Sequence, residues 1–377
     1  MNSTAATFFT SIEAVNQAIV TLSEKVGFNT LPLVSLTIIL VMALILTLVV
    51  ATIGGYGTYA ERKISADIQA RIGPNRVGPY GLLQPLADLV KLLSKEDIFP
   101  MAADKFLFYL APFLAILGVF STLAVLPIAS GLILTDLNVG VFYLIAISSL
   151  VGVGVFLGGY ASNSKWSMLG GMRGASQIIS YEIPVTISIL AVTLISGGMS
   201  FGKIVGAQGG LPHQWFLLHN PFTFIGFFVF FVGGLAETNR APFDLPEAES
   251  ELVSGYHTEY TGMRFGLFAL AEYAEVFVLC GVATALFLGG YQLPLDVTNL
   301  PQIPVQVIQS VVFVMKSLFL YYVVIWIRWT LPRIRVDRLM SICWKYLTPL
   351  AIFNLVGVSV WEVVFHGQSL AQLILGH

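Results

Sequence analysis

The sequence predicts an all-α integral membrane protein of about eight transmembrane helices, with an amphipathic interfacial helix in the first cytoplasmic loop. Three observations carry this expectation. Of 377 residues, 56% are hydrophobic and only 11% charged, whereas a soluble domain has about 25% charged residues. Eight apolar runs come close to or exceed the roughly 20 residues that a spanning helix needs. Sixteen of the 19 Lys and Arg fall in four segments that an eight-span chain places on one side.

The runs cover 31–55, 106–129, 138–160, 175–199, 220–237, 266–290, 305–327 and 346–365. Each is apolar all round instead of alternating with period two, which argues against a transmembrane barrel. The segments 58–105, 161–174, 238–265 and 328–345 hold seven, two, two and five basic residues. The opposite segments hold only Lys25 and Lys203, and Lys316 lies inside the seventh run. Basic segments face the cytoplasm, so both termini are expected on the outer side of the membrane. Within the first segment, GLLQPLADLVKLLSKED sets Leu82, Leu86, Leu89, Val90 and Leu93 at helical spacing, with Asp88, Lys91 and Lys95 on another stripe. That pattern suits a helix lying in the membrane interface. The IGPNRVGPYG ahead of it has the glycines and prolines of a rigid turn. With no repeat and no linker, 31–366 is expected to form one membrane domain, between an N-terminal extension (1–30) and a tail (367–377).

Several functions are excluded by what is scarce. A net charge of −2 offers no basic surface for nucleic acid. Cys280 and Cys343 are too few for a disulfide framework, a four-thiolate zinc site or an iron–sulfur cluster. His213, His219 and His257 sit in loops and His366 and His377 at ends, not as the facing imidazoles of a membrane haem. Gly55, Gly57 and Ala60 match a dinucleotide-binding spacing, but they follow a membrane span and not a strand. Close helix packing through small residues is the expected role. No metal and no redox cofactor is expected on this chain, which would not be catalytic alone.

The acids are the informative residues. The stretch 236–260, AETNRAPFDLPEAESELVSGYHTEY, gathers six of the 21 acids against a single base, Arg240. Pro242, Phe243, Leu245, Pro246, Leu252 and Val253 interleave them, which suits a folded, partly buried loop better than a solvated tail. Glu182, Glu237, Glu272, Glu275 and Lys316 fall in or near spans. A charge at a helix centre costs roughly 2.5–3.5 kcal/mol on insertion scales. Protonation relieves that cost, and a carboxyl that can be neutral or charged is the ingredient of a proton relay. The plainer alternative is pairing with Arg or Lys to fix helix packing, for which the spans contain few bases. Glu275, three residues from Glu272 on nearly the same face, could be a packing partner only.

The polar segments AERKISADIQARIGPNRVGPYGLLQPLADLVKLLSKE (60–96), YASNSKWSMLGGMRGASQIISYEIP (160–184), LAETNRAPFDLPEAESELVSGYHTEY (235–260) and LPRIRVDRLMSICWK (331–345) carry a specific resemblance. Together they resemble the quinone-site membrane subunit of respiratory complex I, the proton-pumping NADH:quinone oxidoreductase. Chance likeness among hydrophobic chains would match the spans, not these loops. The resemblance implies eight core helices and a tunnel for the quinone, the substrate, with Arg62, Arg71 and Asp88 along it or at its entrance. It implies that Arg240, Phe243, Asp244 and Glu247 belong to the quinone-side loop facing the peripheral arm. It implies an acidic path through Glu182, Glu237 and Glu272 with the loop acids Glu249, Glu251 and Glu259.

Electrons would then come from partner subunits that carry FMN and iron–sulfur clusters. The partners implied are cluster-bearing and quinone-site subunits of the peripheral arm, small membrane subunits, antiporter-like subunits and membrane lipid. Two rivals remain on sequence grounds. A membrane subunit of an energy-converting hydrogenase shares the architecture, and neighbouring genes would separate it. A stand-alone secondary transporter often shows inverted repeats, which are not found here, and would need no partner.

Overall fold

The computed structural model describes residues 31–247, 249–294, 302–365, 368–370 and 372, with the side chains of 31–43, 46, 249, 250, 302 and 303 left out. The expected extension 1–30 and most of the tail 367–377 lie outside the described residues. Nine principal helices follow in order among the described residues. They are α1 (Leu31–Ile68), α2 (Gln84–Ser94), α3 (Lys105–Val125), α4 (Gly140–Ala161), α5 (Lys165–Ser196), α6 (Pro221–Glu237), α7 (Gly262–Phe287), α8 (Gln302–Thr330) and α9 (Val336–Val364).

Each of the eight apolar runs falls on one of these helices, and the expected all-α membrane fold holds. Helices α3, α4, α5, α7, α8 and α9 are long and apolar enough to cross a membrane. At 17 residues, α6 is about 26 Å long, a little less than the roughly 30 Å hydrocarbon core. Three boundaries differ from the sequence expectation by ten residues or more. Helix α1 continues to Ile68 instead of stopping at 55, α5 starts at Lys165 instead of 175, and α9 starts at Val336 instead of 346. Their polar ends stay helical because packing against neighbours, not hydropathy, decides where a helix stops.

Helix α2 is the expected amphipathic element. None of its residues is fully buried, and Leu86, Leu89, Val90 and Leu93 are exposed. The turn before it bends at Gly81, with φ +81°, where an added methyl group would run into the Pro74 carbonyl. In the bundle, α3 packs on α4, α4 on α5, and α5 on α6 and α9. Helix α7 lies centrally against α1, α3 and α8, and Val276–Phe287 is almost wholly buried. The glycines of α1 serve close packing, as expected. A methyl group on Gly54 would collide with Leu270, and one on Gly57 would come within 2.6 Å of the Tyr321 hydroxyl.

All four basic segments meet at one end of the bundle. Arg240 reaches Glu61 on α1, Arg264 reaches Asp97, and Glu251 joins Arg173 to Arg333. At the other end, α7 stops at Phe287 and its last carbonyls need partners, since lipid offers none. Gln208 Nε2 donates to the carbonyls of Ala285 and Leu286, and its Oε1 accepts from the amides of Gly289 and Phe216. Lys316 Nζ donates to the carbonyls of Leu288 and Gly290 at 2.8 and 3.0 Å and stands over the Trp215 ring. The segment 200–219 and the one lysine of the seventh run therefore close a helix end.

Candidate functional site

Arg240 follows directly on α6 and turns into the bundle, where its side chain is only 3% exposed. Its Nη1 donates to Glu61 Oε2 at 2.7 Å. Its Nε lies 2.8 Å from Glu272 Oε1 of α7, but off the N–H direction, so that contact is an ion pair and not a linear hydrogen bond. Arg328 at the end of α8 brings Nη1 to 2.5 Å from Glu61 Oε1. The Arg240 guanidinium also stacks 4.1 Å above the Tyr273 ring. Burial opposes its charge, but Glu272 and Glu61 outweigh burial and raise its pKa. Two carboxylates and two guanidiniums from four chain segments thus neutralise one another in a buried network.

The loop continues from this network. Burial lifts the Asp244 carboxyl above its usual range against the pull of Arg328, Arg333 and Arg240. Glu247 is pushed up further, first by burial and then by Glu272 and Asp244. It lies beside the Tyr256 hydroxyl and 3.6 Å from His257 Nδ1. Burial drops His257 to about 4, so at neutral pH the imidazole is uncharged and the contact is no salt bridge. Glu251 behaves oppositely. Its side chain is 49% exposed, and the hydrogen bond from Arg173 holds its carboxyl below the ordinary value. Glu259 is partly buried with no cation partner among the described residues, and the side chain of Glu249 lies outside them.

Deeper in the bundle, Glu182 of α5, Glu237 at the end of α6 and Glu275 of α7 line one cavity of about 50 Å³ with Thr122, Ser148, Thr186 and Thr238. On the usual scale for buried water, that is room for about three molecules. Two residues beyond Glu182 in α5, Pro184 has no N–H, which leaves the Ser180 carbonyl four residues earlier without its helical donor. The Cys343 thiol of α9 donates to that carbonyl at 3.0 Å, giving a role to one of the two cysteines. Carboxyls and hydroxyls around so small a space can exchange protons over single hydrogen-bond steps.

The residues expected at the quinone tunnel divide into two places. Arg62 on α1 pairs with Asp88 on α2 at 2.5 Å, and Lys91 stands 3.5 Å from the other Asp88 oxygen. Arg62 and Arg71 also line an opening of about 780 Å³ with Arg76, Gln84 and residues 72–75. Arg240, Asp244 and Glu247 sit apart in the buried network, and Phe243 is buried against Tyr181. An apolar cavity of about 560 Å³ runs among α1, α3, α7 and α8, from Leu126 and Phe313 to Tyr59, Ala60 and Tyr321.

A family model described as NADH dehydrogenase matches residues 26–359. The chain belongs to that family. It is 46% identical over 337 residues to an NADH-quinone oxidoreductase subunit of Anaeromyxobacter dehalogenans, covering 86% of this chain and 82% of the relative. It is 46% identical to the NADH-quinone oxidoreductase subunit of the same kind from Chlorobaculum tepidum, over 82% of this chain and 88% of the relative. It is 47% identical to one from Geobacter sulfurreducens, over 84% of this chain and 94% of the relative. In this NADH dehydrogenase chain, sequence reasoning misses Glu61, Arg328, Arg173 and Arg333. Glu61, Arg173 and Arg333 lie inside the quoted segments and Arg328 opens the last basic segment, but only the continuation of α1 to Ile68 would have put Glu61 on a packed helix face.

Proposed function

We propose that this chain is the membrane subunit of a proton-translocating NADH:quinone oxidoreductase that receives the quinone and passes its reduction on as proton movement. Family membership across residues 26–359 carries this reading, and the Arg240 network supplies its physical content. The quinone tail would lie in the apolar cavity among α1, α3, α7 and α8, with its head directed towards Arg62, Arg71 and Asp88. Reduction of a quinone takes up two protons, and acids beside the head must respond to that change in charge. Arg240, Asp244 and Glu247 would pass the response through Glu272 to Glu237 and Glu182, with Glu249, Glu251 and Glu259 at the rim. Flavin and iron–sulfur clusters would belong to partner subunits, because electrons have no carrier among the residues of this site.

The chain should purify only within a large assembly showing flavin and iron–sulfur absorbance; recovery as a lone active protein would favour the transporter reading instead. Within that assembly, Asp88→Asn should change the apparent quinone affinity or inhibitor sensitivity while the complex still assembles. A merely interfacial charge would matter little, within about 0.5 kcal/mol, so unaltered quinone kinetics would remove Asp88 from the tunnel.

The basic segments are proposed to face the cytoplasm of a bacterial cell, with both termini periplasmic. His213 is exposed, which suits an introduced cysteine on the opposite face. A membrane-impermeant thiol reagent should label it in intact cells. Labelling only after the cells are broken open would invert the topology.

A further inference from the structure

We infer that Gln177 is a positioning residue that holds the segment bearing Glu237 and Arg240 at both of its ends. This inference rests on the proposed relay function. Gln177 lies on α5, is 1% exposed, and spends both amide N–H groups on backbone carbonyls. Its Nε2 donates to Ala236 at 2.8 Å and to Phe243 at 2.7 Å. Because both partners are acceptors, the orientation of the amide follows from the network.

The two carbonyls bracket the residues that matter. Ala236 is in the last turn of α6, one residue before Glu237. Phe243 is three residues after Arg240. Between them the chain reverses through Asn239 with φ +52°, so the two charged side chains diverge. Glu237 points to the cavity it shares with Glu182 and Glu275, and Arg240 points to Glu61 and Glu272. The same α5 carries Glu182 five residues further on. One uncharged side chain thereby references the ends of the reversal to the helix that supplies a third acid.

The chemistry suits glutamine and few other residues. Bridging two carbonyls from one atom needs two donors on that atom and a reach of three side-chain bonds beyond Cβ. Leu has the bulk without the donors, a carboxyl offers at most one donor, and a Lys ammonium would add a charge among Glu237, Glu182, Glu275, Arg240, Glu61, Glu272 and Asp244. Displacements near 1 Å at a reacting group can cost up to about 10²-fold in rate, and losing either anchor permits a shift of that order.

The test uses the whole assembled complex carrying Gln177→Leu or Gln177→Glu. Both should appear at normal size on native gels with unchanged NADH oxidation by an artificial acceptor at the flavin end. Quinone reduction should fall about tenfold or more in the Leu variant and less in the Glu variant. The pH profile of that activity should change shape in the Leu variant, which adds no titrating group of its own, and a generally loosened fold would not produce that change. Wild-type turnover and pH profile in both, beside a Glu237→Gln complex that has lost turnover, would overturn the inference while leaving the relay reading intact. Full turnover in Glu237→Gln would instead remove the relay reading itself. Failure of both Gln177 variants to assemble would also overturn the inference, by showing that the residue holds the fold and not the site.

Discussion

Arg240→Leu is expected to prevent the complex from accumulating. The substitution removes the guanidinium from between Glu61 and Glu272. Arg328 still reaches Glu61, so Glu272 is the acid left facing the bundle without its ion-pair partner. Removing one member of a buried pair costs about 3–5 kcal/mol, a large share of a folding free energy of about 5–15 kcal/mol. Arg240→Lys should recover little. A single ammonium cannot present Nη1 to one carboxylate and Nε to another, nor stack as a plane on Tyr273. Adding Glu272→Leu to Arg240→Leu should restore part of the assembled complex, because the unpaired acid is then gone, but not its turnover. Native-gel yield and the thermal midpoint of the purified complex report both effects. An Arg240→Leu complex with the wild-type midpoint would show that the network adds nothing to stability.

The broad architecture is legible because lipid imposes a coarse rule: a spanning segment must satisfy its own backbone and be apolar over about 20 residues. Eight runs obey it, and each lies on a helix. What is not legible depends on contacts between segments distant in sequence. Glu61 escapes notice because hydropathy ends the first span at 55, which leaves residue 61 in a loop, where an acid beside Arg62 and Lys63 reads as one of many solvated charges. Glu251 groups with the buried acids because it alternates with Glu247 and Glu249, yet it is half exposed and tied to Arg173 and Arg333. Lys316 stands out as a charge within a span, and its partners are two carbonyls at the end of α7, which no periodicity reveals. Gln177 carries no charge at all. Its position matters only because the reversal at 237–243 folds back on α5, a fact of tertiary geometry.

Glu→Gln replacement at positions 182, 237 and 272 separates a relay from a structural pairing. Glutamine has nearly the volume of glutamate and keeps an acceptor oxygen, so helix packing and most hydrogen bonds survive. It cannot take up and release a proton near neutral pH. If these carboxyls move protons, each Gln complex should assemble yet lose about 10²-fold or more of its coupled quinone reduction, the scale on which positioned proton transfer acts. Proton pumping should fall with it. Glu→Asp keeps a titrating group with a shorter reach, so it should retain a larger fraction. The cavity makes the three positions unequal. Glu182 and Glu237 share it with Glu275, and a neighbouring carboxyl can partly substitute for a missing one. Glu272, one turn of α7 earlier, is in ion contact with Arg240, which also stacks on Tyr273 and so ties the loop network to α7. The Gln variant at 272 should therefore be the most damaging, and Glu275→Gln, removing one of three cavity acids, the mildest. Native-gel assembly, NADH:quinone turnover and proton uptake across the four Gln variants and their Asp counterparts would establish the ranking. Assembled Gln complexes that turn over and pump at the wild-type rate would make all of these carboxyls packing residues, with the protons taking another route.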